Sequence, residues 1–487
     1  MKSWYVAVAC TSVAASFMAC SDGGSESDPG SSKSALSAAS CPSAQPDPSR
    51  SLFVTDAAAL AKFPMEAVMN QIVTTGSTTG QSALSVFQQM MDTLNTQAGA
   101  KTQGGPHCDD VKVGDQGSIN GFPIECPRAE GRFATSNPFA PAPDPDGYEP
   151  VGIVNRFDLA PQNGANCGQH RLVYAKRSGK SSFSDRLLFI FEATLPNPNP
   201  SAGIAACLPV AEFWADLSTD SDANSRATKL SNFYFNGLSG FAPVIKAAHY
   251  GFDGGVDTGQ IRANLFSTPA NQALVEWQLR EFRLSQQCDS GNCSLIAKNT
   301  FVQVNPFGGL FGGGDGANAT FQNGFLNQVS ALASTNVNTI GMSVSGPDNA
   351  GQSTEQGTSN DYLTQAQNNA AFKQAITAKL AEISRTDLTA DDILNRATTQ
   401  SCAGCHQLSA GRSVGAGLTW PNSLGFVQIS ESSQLSPALN ETFLPFRAQV
   451  LANFINAQCS DAGPSLANNG HVDPKRTIGG GLVGAAN

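Results

Sequence analysis

The sequence predicts an α+β protein, with an N-terminal antiparallel β-rich body, flanking helices and an all-α C-terminal region. Three observations lead there. Between about Gly152 and Pro306, short runs rich in β-branched and aromatic residues alternate with period two and are punctuated by Gly, Pro, Asn and Ser. On either side of that stretch the apolar residues recur at helical spacing instead. Two polar, glycine-containing segments, 20–50 and 343–360, divide the 487-residue chain into a body at 51–342 and a C-terminal region at 361–487.

The opening "MKSWYVAVACTSVAASFMAC" carries Lys2, an apolar stretch from about Trp4 to Ala19, and a small residue directly before Cys20. That pattern reads as a secretory signal over residues 1–19 and implies export. Its end, "FMAC", resembles a bacterial lipobox, with Phe17 where that pattern prefers Leu. The resemblance implies cleavage before Cys20 and acylation of its thiol, and Ser21 in the next position favours the outer membrane. The expected location is therefore the cell envelope, as a periplasmic or outer-membrane-anchored lipoprotein. No later run approaches the ~18 apolar residues of a spanning helix, so lipid is the one membrane attachment expected. Residues 20–50 are Ser, Pro, Asp and Gly with almost nothing to bury, and read as a flexible tether.

Only 14% of residues are Asp, Glu, Lys or Arg, against 47 Gly and 27 Pro, which suits a loop-rich exported chain. The formal net charge is −10 and no Lys/Arg cluster could neutralise a row of phosphates, so no nucleic-acid partner is expected. Twelve cysteines include Cys10 in the signal, Cys20, and the pair Cys402 and Cys405. The remaining eight form an even set that suggests disulfides in an oxidising compartment. Short loops favour Cys288 with Cys293, Cys108 with Cys126, and Cys167 with Cys207. Elimination leaves Cys41 with Cys459.

Within the body, "DAAALAKFPMEAVMNQIV" reads as helix with Asp56 as N-cap and a kink at Pro64, and a second helix starts at Ser82 with Leu84, Phe87 and Met91 inward. Met65, Met90 and Met91 at helical spacing are core residues rather than ligands. Six strands follow, in "GIVNRFDLA", "RLVYAKRS", "RLLFIFEATL", "QIRANLFS", "WQLREFRLS" and "SLIAKNTFVQVNP". Ile261, Ala263 and Leu265 alternate cleanly, implying one buried face, whereas "LLFIF" is apolar throughout and suits a central, doubly covered strand. The apolar phase slips between Leu279 and Phe282, which predicts a bulge at Arg280 or Glu281. Two helical segments, "VAEFWADLS" and "RATKLSNFYFNG", interrupt the set and would cover one face. In the C-terminal region, Phe372, Ile376, Leu380 and Ile383 form one stripe, and Thr389 with Asp392 makes a capping box for a helix running into Cys402. A last helix begins near Pro445 and turns Val450, Leu451 and Phe454 inward.

The chemistry concentrates in "CAGCH", Cys402 to His406. Two thiols three residues apart reach the two vinyl groups of one porphyrin edge, and the adjacent imidazole reaches the iron as proximal ligand. A thioredoxin-type pair needs CxxC to open a helix after a strand, whereas here it is expected to end one; a zinc knuckle needs a second ligand pair nearby, and neither a CxxC nor an HxxxH follows; a plain disulfide remains an alternative. On this motif, roughly the last 120 residues resemble the c-type cytochrome family, in which one helix leads into CxxCH and a C-terminal helix packs across it. The resemblance implies a cytochrome c-like domain, one covalent haem c on Cys402 and Cys405, His406 as iron ligand, and a redox partner protein. The family's small members supply a distal methionine downstream, and this chain has no Met after Met342. His471 is the one downstream histidine and the first distal candidate; Met342, His249, His170 and His107 could reach the iron from the body.

Other constellations are weaker. "GGPHCDD" sets His107 beside Asp109 and Asp110 around a cysteine, which reads as a structured loop. Arg156, Asp158 and Arg171 read as a cross-strand ion pair. The glycine-rich "NPFGGLFGGGDGANAT" has neither GxGxxG spacing nor GK[ST]. No GxSxG or HExxH occurs. The expectation is an exported mono-haem c lipoprotein that carries electrons rather than an enzyme, with no catalytic residues assigned. The alternatives are a haem enzyme, peroxidase- or oxygenase-like, with an open distal site, and a non-haem envelope binding protein with a CxxC disulfide.

Overall fold

The computed structural model describes residues 45–76, 80–95, 108, 112–251, 258–266, 275–314 and 316–459. The signal, Cys20, Cys41, His107 and His471 lie outside these, so the expectations placed on them do too.

All six expected strands form and lie in one antiparallel sheet. Its first strand is the short β1 (Phe53–Val54). A small separate sheet follows, from β2 (Lys112–Val113), β3 (Gln116–Ile119) and β4 (Phe122–Pro123). The six long strands are β5 (Tyr148–Arg156), β6 (Asn166–Lys176), β7 (Leu187–Pro196), β8 (Gln260–Leu265), β9 (Gln278–Asp289) and β10 (Asn292–Thr300), with β11 (Ser353–Thr354) last. The large sheet runs β1-β5-β6-β7-β8-β9-β10, and β11 pairs with β9 where β10 stops. β7 is central and buried along its length except Pro196, as its continuous apolar run required.

Successive side chains point to opposite faces, so the cross-strand register sorts the sheet into two surfaces. One carries His170, Leu172, Tyr174, Phe189, Phe191, Ile261 and Phe282 against helices Met65–Thr75, Ala83–Asp92, Leu208–Thr219 and Ala223–Asn236. There Trp214 stacks on His170 at 5.7 Å, Phe87 meets Phe189 at 5.1 Å, and the Tyr174 hydroxyl donates to Phe63 O at 2.9 Å. Pro64 splits the first helical run into Ala57–Leu60 and Met65–Thr75, since a proline ring cannot continue the helix behind it. Met65, Met90 and Met91 are all core residues.

The opposite face is covered by the C-terminal residues. Ser433 Oγ donates to Val151 O at 2.8 Å, Arg186 pairs with Glu431, and Phe266 packs on Phe426 at 6.1 Å. β8 is therefore buried on both faces, not on one. The expected bulge in β9 is also absent: β8 and β9 pair in unbroken register from Ile261 opposite Phe282 to Leu265 opposite Gln278. The phase slip has another cause, because Arg280 and Glu281 are both fully buried with polar partners, so polar residues occupy inward positions. The polar segment 343–360 differs from a free linker. Its Ser353–Thr354 joins the sheet, and Asn360, 3% exposed, donates to Asn305 Oδ1 at 2.8 Å. The tether's last residues are likewise ordered, Asp47 capping a helical turn at Pro48–Ser51.

Three of the expected disulfides form, Cys108–Cys126, Cys167–Cys207 and Cys288–Cys293. The capping box at Thr389 and Asp392 opens helix Ala390–Thr398, and the last helix runs Leu444–Cys459. No helix among the described residues is long and apolar enough to cross a membrane.

Buried His170 gives the helix-covered face a pH dependence. Burial, aided by the nearby His249, pushes its pKa from 6.5 to about 3, and burial pushes His249 to about 4. The unfolded chain then binds more protons, so stability is complete above about pH 6.5 and is lost as pH falls towards the folded values. Urea midpoints measured across that window should fall in the wild type. In His170→Gln, which keeps an acceptor for Trp214 without titrating, the fall should be smaller.

Candidate functional site

The CxxCH segment sits on the C-terminal-covered face of the sheet, over β8 and the start of β9. Helix Ala390–Thr398 ends four residues before Cys402, and a new helical turn opens there, continuing as a π-turn over Gly404–Leu408. The motif thus starts a helical segment rather than ending one. Ser401 makes the break: its Oγ donates to Thr398 O at 2.9 Å and accepts from Gly404 N at 3.0 Å. Gly404 is required by close approach, since a Cβ there would lie 1.6 Å from Thr398 O. Gly404→Ala should therefore cost about 3 kcal/mol in urea unfolding, the upper end for overpacking, because backbone cannot yield as a side chain can.

Cys402, Cys405 and His406 are all buried, at 1%, 0% and 0% exposure. Neither thiol is in a disulfide, while the six disulfide cysteines are paired with each other. Burial pushes the Cys402 thiol up to about 11, Arg262 only partly offsetting it, and burial raises Cys405 further. A reactive thioredoxin-type cysteine needs the opposite shift. Gln428 Nε2 donates to Cys405 O at 3.3 Å.

His406 is held by two contacts. Its Nδ1 lies 2.6 Å from Phe426 O, and Trp277 stacks on the ring at 5.3 Å. A carbonyl only accepts, so Nδ1 carries a proton. Burial lowers the imidazole pKa to about 4, leaving the ring neutral at pH 7 with its lone pair on Nε2. Nε2 is buried and has no hydrogen-bond partner. An imidazole oriented through Nδ1–H to a backbone carbonyl, with Nε2 free, has the tautomer of a metal-ligating histidine.

Beneath the motif the sheet carries a ladder of charges. Arg171 on β6 lies 3.1 Å from Glu192 on β7, and Arg262 on β8 lies 3.4 Å from Glu192 and 3.2 Å from Glu281 on β9. Arg283 adds a second 3.2 Å contact to Glu281, and Gln260 donates to Glu192. Burial works against the Arg262 charge, but Glu192 and Glu281 outweigh it and its pKa is raised. Burial lowers Arg171 to about 9, with Glu192 opposing. Arg156 pairs with Asp158 at 2.9 Å, and Arg447 on the last helix approaches the same carboxylate at 3.8 Å. The expected link from Arg171 to Arg156 and Asp158 is thus redirected: Arg171's ion-pair partner is Glu192, one strand further on.

His170 and His249 pack on the helix-covered side, where His170 meets Trp214 and Phe233. His170 neighbours Arg171 on one strand and so projects through the other face of the sheet from Cys402 and His406. The sheet therefore separates these histidines from the motif. Met342 is a core residue, 2% exposed. Among the described residues, no group of three or more His, Cys, Asp and Glu side chains is placed to hold a metal ion by itself. Sequence reasoning missed Glu192, Arg262, Glu281, Trp277 and Phe426. One charge of alternating sign on each successive strand, Arg171, Glu192, Arg262 and Glu281, was the signal available. No family model, curated protein or solved structure matches the chain.

Proposed function

We propose that the protein is an exported mono-haem c-type cytochrome of the cell envelope. Haem would be joined covalently to Cys402 and Cys405 and ligated by His406, and the chain would pass electrons to a partner protein. The observation that carries this reading is the buried His406 Nε2, a lone pair without a partner, next in sequence to two cysteines that form no disulfide. An unsatisfied buried acceptor costs about 1–3 kcal/mol, and a ligand to it removes that cost. The residues fit the group: the thiols would hold it, Phe426 O and Trp277 would fix the imidazole, and the surrounding packing would exclude water. Haem, when bound, supplies one-electron redox chemistry. Export through the signal at 1–19 and lipidation of Cys20 complete the reading, since covalent haem attachment in bacteria takes place outside the cytoplasm.

The test is a pyridine haemochrome spectrum with intact mass on protein made with a c-type maturation system. A c-type band and a haem-sized mass increment are expected. Their absence, with Cys402 and Cys405 oxidised to each other, would replace the reading with a disulfide-stapled envelope binding protein.

A second reading, a haem enzyme with an open distal position, is favoured by one observation. The strand residues on the motif's side include Arg171, Glu192, Gln260, Arg262, Asn264 and Glu281 but neither His nor Met. Carbon monoxide separates the two, binding readily to an open ferrous site and poorly to a six-coordinate one.

A further inference from the structure

The motif has almost no surface of its own, since Cys402, Cys405 and His406 are at most 1% exposed. A run of aromatic rings connects it to one. Trp277 stacks on the His406 ring at 5.3 Å, Phe426 lies 6.3 Å from Trp277, and Phe183 lies 6.3 Å from Phe426. Phe266 makes the last step a second way, 5.6 Å from Phe183 and 6.1 Å from Phe426. Centroid separations of about 4.5–7 Å are those of rings in contact. Phe426 also holds the imidazole, its carbonyl accepting from His406 Nδ1 at 2.6 Å. At the outer end Phe183 is 53% exposed, the one exposed aromatic side chain among the described residues. It stands in the polar stretch "KSSFSDR", and the Arg186 guanidinium packs over its ring at 5.6 Å. Its two neighbours, Ser182 and Ser184, line a hollow of about 410 Å³ together with Arg132, Asp185 and Arg186.

We propose that Phe183 is the electron port of the protein: a one-electron carrier protein docks over this ring and the hollow beside it, and Phe426 and Trp277 couple the carrier to the His406 imidazole. The inference rests on the haem reading and names where its partner binds. In each transfer one electron passes between an iron held by His406 and the carrier's own centre, so that one side is oxidised by one electron and the other reduced by one, with no bond or proton moved. Electron tunnelling weakens steeply with distance, so the carrier must sit where packed atoms lead to the imidazole without a gap. The surface suits a transient protein partner. An aromatic anchor and a hollow for a partner's side chain are rimmed by charges of both signs, with the side chains of Arg132 59% and Lys180 44% exposed and that of Asp146 43%.

The test puts a photoactive ruthenium polypyridyl label in the carrier's place, on Ser184→Cys, with a reference label on Thr228→Cys in helix Ala223–Asn236 across the sheet. Protein without an added cysteine, taken through the same labelling, is the blank. In the haem-loaded protein a light flash should make the Ser184→Cys label reduce the haem in a fast phase of the haem absorbance. Phe183→Leu, a change at the surface that leaves the fold intact, should slow that phase. Phe426→Leu should remove it, and neither variant should alter the rate from the Thr228→Cys label. In a Cys402→Ala/Cys405→Ala background the excited label is instead oxidised by a cobalt(III) ammine and then takes one electron from Trp277. A tryptophan-radical absorbance is expected there, lost in Trp277→Phe and in Phe426→Leu. Rates from the Ser184→Cys label that Phe183→Leu and Phe426→Leu leave unchanged overturn the proposal, as does a Trp277 signal of equal strength from both label sites. Failure of the haem reading shows separately, as a missing mass increment in the wild type; it removes the port's function, and the Trp277 signal then reports the ring path by itself.

Discussion

Replacing Cys402 and Cys405 together by Ala should abolish the haem-sized mass increment and the c-type haemochrome band while leaving a folded chain. The loss is expected to be complete, since the chain would then have no thiol at the motif to form a thioether. Each substitution also removes one buried sulfur, which costs on the order of 1 kcal/mol by area. The two single variants should each keep one attachment point and a reduced haem content. The result that would sink the idea is a wild-type protein of unmodified mass whose two thiols are oxidised to one another.

Arg262→Leu should have the largest effect on stability away from the motif. Arg262 bridges Glu192 and Glu281, and all three side chains are fully buried. Removing the guanidinium takes away the bridge between two buried carboxylates, leaving Glu192 to Arg171 and Glu281 to Arg283, and breaking a buried pair in this way costs about 3–5 kcal/mol. Urea unfolding gives the number directly. Arg262→Leu combined with Glu281→Gln should recover part of the loss, because one stranded charge is neutralised. A loss below about 1 kcal/mol for Arg262→Leu would mean that Arg171 and Arg283 suffice to hold the two carboxylates.

Much of the architecture was legible because it rests on local chemistry. Thr389 and Asp392 form the capping box that their spacing implied, Pro64 interrupts a helix wherever it stands in one, and Asp56 and Ser82 precede the helices expected of them. The apolar run in β7 had to be covered twice. The three short-loop disulfides followed from separation along the chain, which sets how easily two thiols meet. Where reading by period failed, the cause was burial on both faces. Alternation reveals a strand with one wet side, but β8 and β9 have none, and their inward polar residues looked like a surface at β8 and a bulge at β9.

The sequence by itself determined the elements and the CxxCH motif, because helix caps, turn residues and the motif's own spacing act within a few residues of one another. Only the tertiary structure decided what surrounds that motif. It put His170 and His249 on the far side of the sheet, Trp277 and Phe426 on the imidazole, and Arg171, Glu192, Arg262 and Glu281 in one ladder beneath the thiols. The physical reason is register. Which side chains share a face depends on how strands from distant parts of the chain align, and a shift by one residue would have sent each of them to the other side.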